Sequence, residues 1–305
     1  MAVQSATRPA LSTWQRTLRT LDTVNVLGPL LAAPATIILL TLLAYPLLLG
    51  VWLSLTDSTL GTPGHFIGFH NYLVLFRDPV YRGAAFYSVL YTFGAEIFKM
   101  SLGLGLALLL NRKFRGYRIA RSIMLLPWVA PTVLSALAWL WLLDPQFSAL
   151  SWLLQQVGLI HSNIDFLGTK WAARLSLIAV NVWRGIPYFA IGYLAGLQAI
   201  PKELLEAASI DGASTWNKFV HVTWPLLIPI TTILVSFSSI WTITDFQLIW
   251  TMTHGGPVNS TQVFTTLAYQ RAITGGSLGQ GAAVAISIIP VMLILAWFAV
   301  RSTRE

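Results

Sequence analysis

The feature that most constrains this chain is the recurrence of apolar runs each long enough to cross a bilayer, which takes about 20 residues at about 1.5 Å rise per residue. Six windows qualify: residues 27–55, 84–111, 119–143, 174–199, 224–250 and 280–300. Composition agrees. The chain is 55% hydrophobic and 10% charged, with a mean hydropathy of +0.68, where a soluble domain carries roughly 25% charge. One soluble core cannot absorb that much apolar surface, so the expected fold is all-α: a polytopic membrane protein with six transmembrane helices. Pro46, Pro127, Pro131, Pro187 and Pro290 fall inside these windows; such prolines are tolerated in spans where neighbouring helices satisfy the freed carbonyls.

The formal charge of +8 does not point to nucleic acid, because the basic residues sit in short turns between spans and at the two ends, where topology accounts for them. Placing the N-terminus inside puts twelve Lys and Arg residues on the cytoplasmic side, among them Arg8, Arg16, Arg19, Arg112, Lys202 and Arg301, against five outside. Both ends are therefore expected in the cytoplasm. The first span is too long for a signal-peptide core of about 7 to 15 residues and reads as an uncleaved anchor. The resulting divisions are a cytoplasmic N-terminal segment, 1–26, a transmembrane domain, 27–300, and a cytoplasmic tail, 301–305. Outer loops at 56–83, 144–173 and 251–279 are expected to form a rim for another protein. The absence of Cys excludes disulfides and thiolate metal sites. No Gly-rich loop with Lys and Ser/Thr is present to support ATP hydrolysis by a P-loop mechanism.

Between spans four and five, residues 200–223 read as a helical elbow. Pro201 suits a first helical turn, Glu203 and Glu206 suit its positive end, and Gly212 suits its stop. Ser214 or Thr215 is placed to cap a second short helix through Val222. Small residues Ala207, Ala208, Gly212 and Ala213 permit close approach of another surface; a solvated amphipathic turn would show the same pattern.

Glu206-Ala207-Ala208, Asp211-Gly212-Ala213, Trp224-Pro225 and Pro229 resemble the EAA loop of bacterial ABC importer permeases, the coupling helix that docks on the ATPase subunit. Phe66-Ile67-Gly68-Phe69-His70-Asn71-Tyr72, Leu126-Pro127-Trp128, Asn181 through Tyr188, and Thr253-His254-Gly255-Gly256-Pro257 resemble the carbohydrate, maltose-type branch of that family. The Gly-Gly-Pro motif and the short tail look like the first permease of a heterodimeric pair. The resemblance implies a second permease subunit, two ATP-binding subunits holding ATP and Mg, an extracytoplasmic solute-binding protein, and no cofactor or metal on this chain. It also implies ATPase-coupling roles for Glu206, Ala207, Ala208, Asp211, Gly212 and Ala213.

Ionisable groups inside spans cost about 2.5 to 3.5 kcal/mol on insertion scales and need a partner or a wet cavity. Glu96 and Lys99, three residues apart in span two, are expected to neutralise each other rather than bind solute. In span four, Asn181, Arg184, Gly185 and Tyr188 share one helical stripe; Trp241, Thr242 and Asp245 cluster on span five. Aromatic faces flanked by hydrogen-bonding groups suit a sugar, with its apolar C–H faces and hydroxyl rim. In maltose-type permeases the matching positions line the sugar site. Asn181, Gly185 and Tyr188 keep that pattern. The sequence departs from it at Arg184 (Leu there), Trp241 (Phe), and Thr242 and Asp245 (both Asn), which argues against maltose itself. Arg184 and Asp245 form either a helix-fastening ion pair or, if Arg184 is unpaired, a site for a solute with an acidic substituent.

The expected function is thus a non-enzymatic permease subunit, half of an ATP-driven sugar or glycoside pathway working by alternating access. A self-sufficient secondary carrier and a membrane-embedded transferase or hydrolase are the alternatives. The five His residues lie scattered over different loops and make no catalytic or metal cluster.

Overall fold

The computed structural model describes residues 24–112 and 114–302. The expected N-terminal segment, 1–26, lies outside the described residues except for its last three positions, and so does the tail beyond residue 302. Helix is the dominant element. Among the described residues the β pairing consists of two isolated bridges, Thr56 with Phe66 and Thr59 with Thr62.

Two compact units divide after Trp52. The first carries the helix α1 (Leu27–Ser54) almost entire, which passes through a π-type turn at Leu40–Ala44. It is apolar on every side, as suits a helix whose solvent is lipid. Its two threonines donate within the helix, Thr36 to the Ala32 carbonyl at 2.9 Å and Thr41 to the Ile37 carbonyl at 2.8 Å, so neither hydroxyl needs an outside partner.

The second unit contains α2 (Pro79–Leu110), α3 (Tyr117–Val129), α4 (Thr132–Leu142), α5 (Lys170–Ala199), α6 (Lys202–Ile210), α7 (Thr215–Ile243), α8 (Gln247–Thr253) and α9 (Leu278–Phe298). Helix α2 starts five residues before the apolar window because Asp78 caps it, accepting from the Val80 amide at 2.9 Å, with Pro79 at the first position. Thr169 caps α5 in the same way. Three apolar clusters hold the unit together. Tyr87 and Tyr91 of α2 meet Leu177 and Ile178 of α5 and Leu248 and Ile249 of α8. Ala107 meets Phe189, Tyr193, Leu227 and Leu234; Tyr81, Ile243, Phe264 and Val284 form the third. Helices α2, α5 and α7 therefore make the centre on which the rest is arranged.

The six-span reading holds, provided that the third span is counted as a bent pair. Sequence reading made 119–143 one helix; instead α3 and α4 meet at 94°. Pro131 clashes with a helical conformation at the residue before it, and Ala130 accordingly lies extended, at ψ 135°. Span five differs at both ends. The second short helix expected through Val222 is the beginning of α7 itself, which runs through a π-type turn at Phe219–Thr223 into the membrane segment. Its far end comes at Ile243, with a break at 244–246 before α8, where a helix to residue 250 was expected. Thr244, Asp245 and Gln247 interrupt the apolar pattern at that break, but Leu248, Ile249 and Trp250 resume it within the same window, so its average hides the break.

Candidate functional site

Facing side chains on α2 and α7 build the first part of the site. Lys99 Nζ lies 2.6 Å from Glu96 Oε1 and donates to Ser238 Oγ at 3.0 Å and Thr242 Oγ1 at 2.8 Å. Both hydroxyls in turn lie within donating distance of Glu96 Oε1, at 2.9 and 3.1 Å. The Glu96–Lys99 pair expected from the three-residue spacing is thus present, and it fastens α2 to α7 through two hydroxyls that sequence reading did not connect to it. Gly185 of α5 explains how the lysine reaches them. A Cβ there would stand 2.1 Å from Lys99 Cδ, so the missing side chain gives the lysine stem its path.

The break after α7 supplies the second part. Asp245, freed from a helical register, turns its carboxylate inward. Oδ2 accepts from Tyr91 Oη at 3.0 Å and from Asn181 Nδ2 at 3.1 Å, while Oδ1 accepts from the Leu248 amide at 3.3 Å and so caps α8. The expected link between spans four and five therefore runs through Asn181 rather than Arg184. Among the described residues no carboxylate oxygen lies within 4.0 Å of the Arg184 guanidinium, and the ion pairs are Glu96–Lys99 and Asp78–Arg271. Arg184 Nε is buried without an acceptor, and Asn181 Oδ1 is buried without a donor.

All seven residues expected to line a solute path, Asn181, Arg184, Gly185, Tyr188, Trp241, Thr242 and Asp245, surround one cavity of about 110 Å³, joined by Lys99, Trp128 and Ser238. Tyr188 stands between two indoles: its ring centroid lies 5.2 Å from that of Trp241 and 6.5 Å from that of Trp128. A second, wider cavity of about 530 Å³ shares Trp128, Arg184, Trp241 and Asp245 and continues past Thr244, Phe246 and Gln247. Sequence reading missed Trp128 and Tyr91 as site residues. Trp128 arrives through the bend between α3 and α4, which hydropathy cannot register. Tyr91 had a signal, since Ser88, Tyr91, Thr92, Glu96 and Lys99 fall on one polar face of an otherwise apolar span.

The elbow begins at α6, with Pro201 as its N-cap and Glu203 in its first turn. Its end is a Schellman arrangement: the Ala213 amide donates to the Ala208 carbonyl at 2.9 Å and the Gly212 amide to that of Ser209 at 3.1 Å. Gly212 sits at φ +77°, a left-handed conformation that costs other residues about 1 to 2 kcal/mol. Ser214 rather than Thr215 caps α7, accepting from the Asn217 amide at 3.2 Å. Glu206, Ala207, Asp211 and Gly212 are exposed, Ala208 and Ala213 half-buried. Ile210 and Trp216 flank them at 87% and 69% exposure, more apolar surface than a solvated turn requires.

Residues 99–304 match the model of the family described as binding-protein-dependent transport system inner membrane component. The chain is 33% identical to the trehalose/maltose transport system permease protein MalF of Thermococcus litoralis, over 89% of this chain and 90% of that one. It is 32% identical to the sulfoquinovosyl glycerol transport system permease protein SmoG of Agrobacterium fabrum, over 96% and 95%. Its fold matches a chain of a bacterial ABC transporter involved in import of the acidic polysaccharide alginate, at a TM-score of 0.80 and 24% identity, covering 95% and 99% of the two chains. The chain belongs to the binding-protein-dependent transport system inner membrane component family. It is a multi-pass inner membrane permease subunit of an ABC importer, and the carrier and transferase alternatives fall away.

Proposed function

We propose that this permease carries a sugar or glycoside, which passes between Asn181, Arg184, Gly185, Tyr188, Trp241, Thr242 and Asp245. The observation that carries the reading is the single cavity on which these residues converge, walled by Trp128, Tyr188 and Trp241. Three aromatic rings beside amide, carboxylate and cationic groups offer both the apolar faces and the hydrogen-bonding rim that a pyranose presents. The named functions of the trehalose/maltose and sulfoquinovosyl glycerol relatives support the same class. In this reading a solute-binding protein delivers the sugar to the outer rim. A second, different permease completes the pathway, and two ATP-binding subunits, which hold ATP and Mg, drive it. Both termini of this chain face the cytoplasm, as the distribution of Lys and Arg favours.

The elbow is the handle for that drive. Glu206, Ala207, Ala208, Asp211, Gly212 and Ala213 dock on an ATP-binding subunit, and α7 rises directly from the docked surface. Its 29 residues span about 43 Å at about 1.5 Å per residue, ending on Thr242 at the cavity. The helix is continuous through its π-type turn at Phe219–Thr223, so displacement at the elbow is carried toward the solute walls.

The test is ATP-dependent uptake in proteoliposomes holding the complete importer, offered labelled mono- and disaccharides, amino acids and polyamines. Accumulation of a saccharide, competed by other saccharides, is the expected result. Accumulation of an amino acid or a polyamine with no saccharide moved would overturn the assignment.

A further inference from the structure

Two cations line the cavity: Lys99 is ion-paired, whereas Arg184 has no ion pair among the described residues, although the Asp245 carboxylate, held by neutral donors, lines the same space. Glu96 and Lys99 neutralise each other within the α2–α7 network. The two oxygens of Asp245 are engaged by Tyr91, Asn181 and the Leu248 amide. Arg184 has no carboxylate within 4.0 Å among the described residues, and its Nε–H is buried without an acceptor. A donor left in that state costs about 1 to 3 kcal/mol, more when charged, and membrane helices rarely keep such a group unless it marks a solute path.

Position gives this cation a use. Arg184 stands where the cavity of about 110 Å³ meets the one of about 530 Å³. The first cavity is the narrower of the two. The wider cavity has room for the ring. Asn181 lines the same cavity, and its Oδ1 is buried without a donor. Trp128 and Trp241 line both cavities and can follow the apolar face of the same molecule.

We propose that the solute is an anionic saccharide, whose carboxylate, sulfonate or phosphate seats against the Arg184 guanidinium at the junction of the two cavities. This rests on the saccharide reading above and narrows it. A guanidinium meets such groups through parallel N–H···O bonds roughly twice as strong as neutral ones, an advantage that a neutral hydroxyl does not offer. The rival source of an anion is a carboxylate of the second permease. It would make Arg184 a fastener between subunits.

The complete importer in proteoliposomes, with its own solute-binding protein, separates these accounts. The probes are methyl glucoside, the corresponding methyl glucuronide and the corresponding 6-sulfonate, each as the monosaccharide and as the disaccharide. At least one anionic member should accumulate tenfold or more faster than its neutral counterpart. Arg184→Leu should reduce that preference at least tenfold while the permease pair still co-purifies in wild-type yield, and Arg184→Lys should keep part of it. Equal transport of neutral and anionic members, or a preference unchanged in Arg184→Leu, overturns the anionic assignment and leaves the saccharide reading standing. Loss of co-purification in Arg184→Leu overturns it in favour of the fastener. Transport of no saccharide, whatever its charge, overturns the underlying reading as well.

Discussion

Removing the Lys99 ammonium while keeping Glu96 tests whether the buried α2–α7 network is a structural fastening. The two charges lie 2.6 Å apart at 3% and 6% side-chain exposure. At an effective dielectric of about 20, that separation corresponds to about 6 kcal/mol of gross attraction, much of it offset by the cost of taking both ions out of water. Lys99→Met keeps the stem length beside Gly185 but strands a carboxylate whose Oε2 already lacks a partner. Breaking one side of a buried pair typically costs about 3 to 5 kcal/mol, which lowers the folded-to-unfolded ratio by roughly two to four orders of magnitude. The variant should accumulate poorly in membranes, and what survives should lose heat stability in detergent. Adding Glu96→Gln removes the second charge and leaves an amide that Ser238 and Thr242 can still bond, so the double variant should recover most of the yield. Yield and midpoint of thermal aggregation, measured on the co-purified permease pair, give the readout. If Lys99→Met assembles and withstands heat like the wild type, or if the double variant is no better than the single, the fastening argument is wrong and Lys99 is to be regarded as a solute ligand.

Two further outcomes follow from the elbow and from topology. Gly212→Val places a β-branched residue at φ +77°, costing about 1 to 2 kcal/mol locally; solute-stimulated ATPase activity should fall while binding of solute by the permease persists, and undiminished stimulation would refute docking at this position. Because the chain has no Cys, Ser162→Cys, exposed in a loop expected on the outside, should react with an impermeant thiol reagent from outside, and Ser214→Cys, exposed at the elbow, only after permeabilisation; the reverse pattern would invert the orientation.

Much of the fold and of the site is legible in the chain because a bilayer simplifies the grammar. An apolar run of sufficient length has one outcome, and a charge inside it has few. Spacing alone therefore anticipates the Glu96–Lys99 pair, and helical periodicity anticipates the alignment of Asn181, Arg184, Gly185 and Tyr188. What escapes a hydropathy window is a departure from helix too short to lower its average. Pro131 bends the third span where Pro187, mid-helix in α5, does not, because neighbouring packing decides which proline is absorbed. The end of α7 at Ile243 is marked by Thr244, Asp245 and Gln247, but Phe246 and Leu248 to Trp250 keep the window apolar enough to read as one span. Both invisible breaks matter at the cavity: one delivers Trp128, and the other frees Asp245. Sequence reading also weighed Asp245 against Arg184, because both are charged and lie on adjoining spans, whereas the carboxylate is taken by Tyr91 and Asn181, which carry no charge to advertise the bond.

A span tolerates polar groups only if they satisfy one another, so a cavity in which most are satisfied and a few are not separates fastening from function. Glu96, Lys99, Ser238 and Thr242 close on themselves and tie α2 to α7. Tyr91, Asn181 and Asp245 tie α2 and α5 to the start of α8. Together these two knots hold α2, α5, α7 and the start of α8, while α3 adds Trp128 to the wall. Arg184 Nε and Asn181 Oδ1, on residues that line the same cavity, are left without partners, as is Glu96 Oε2 within the first knot. A rigid frame with a small remainder of unmet hydrogen-bonding capacity is what solute selectivity in a low-dielectric path requires. The frame fixes where the remainder points, and a solute is chosen by whether it meets that remainder without disturbing the frame.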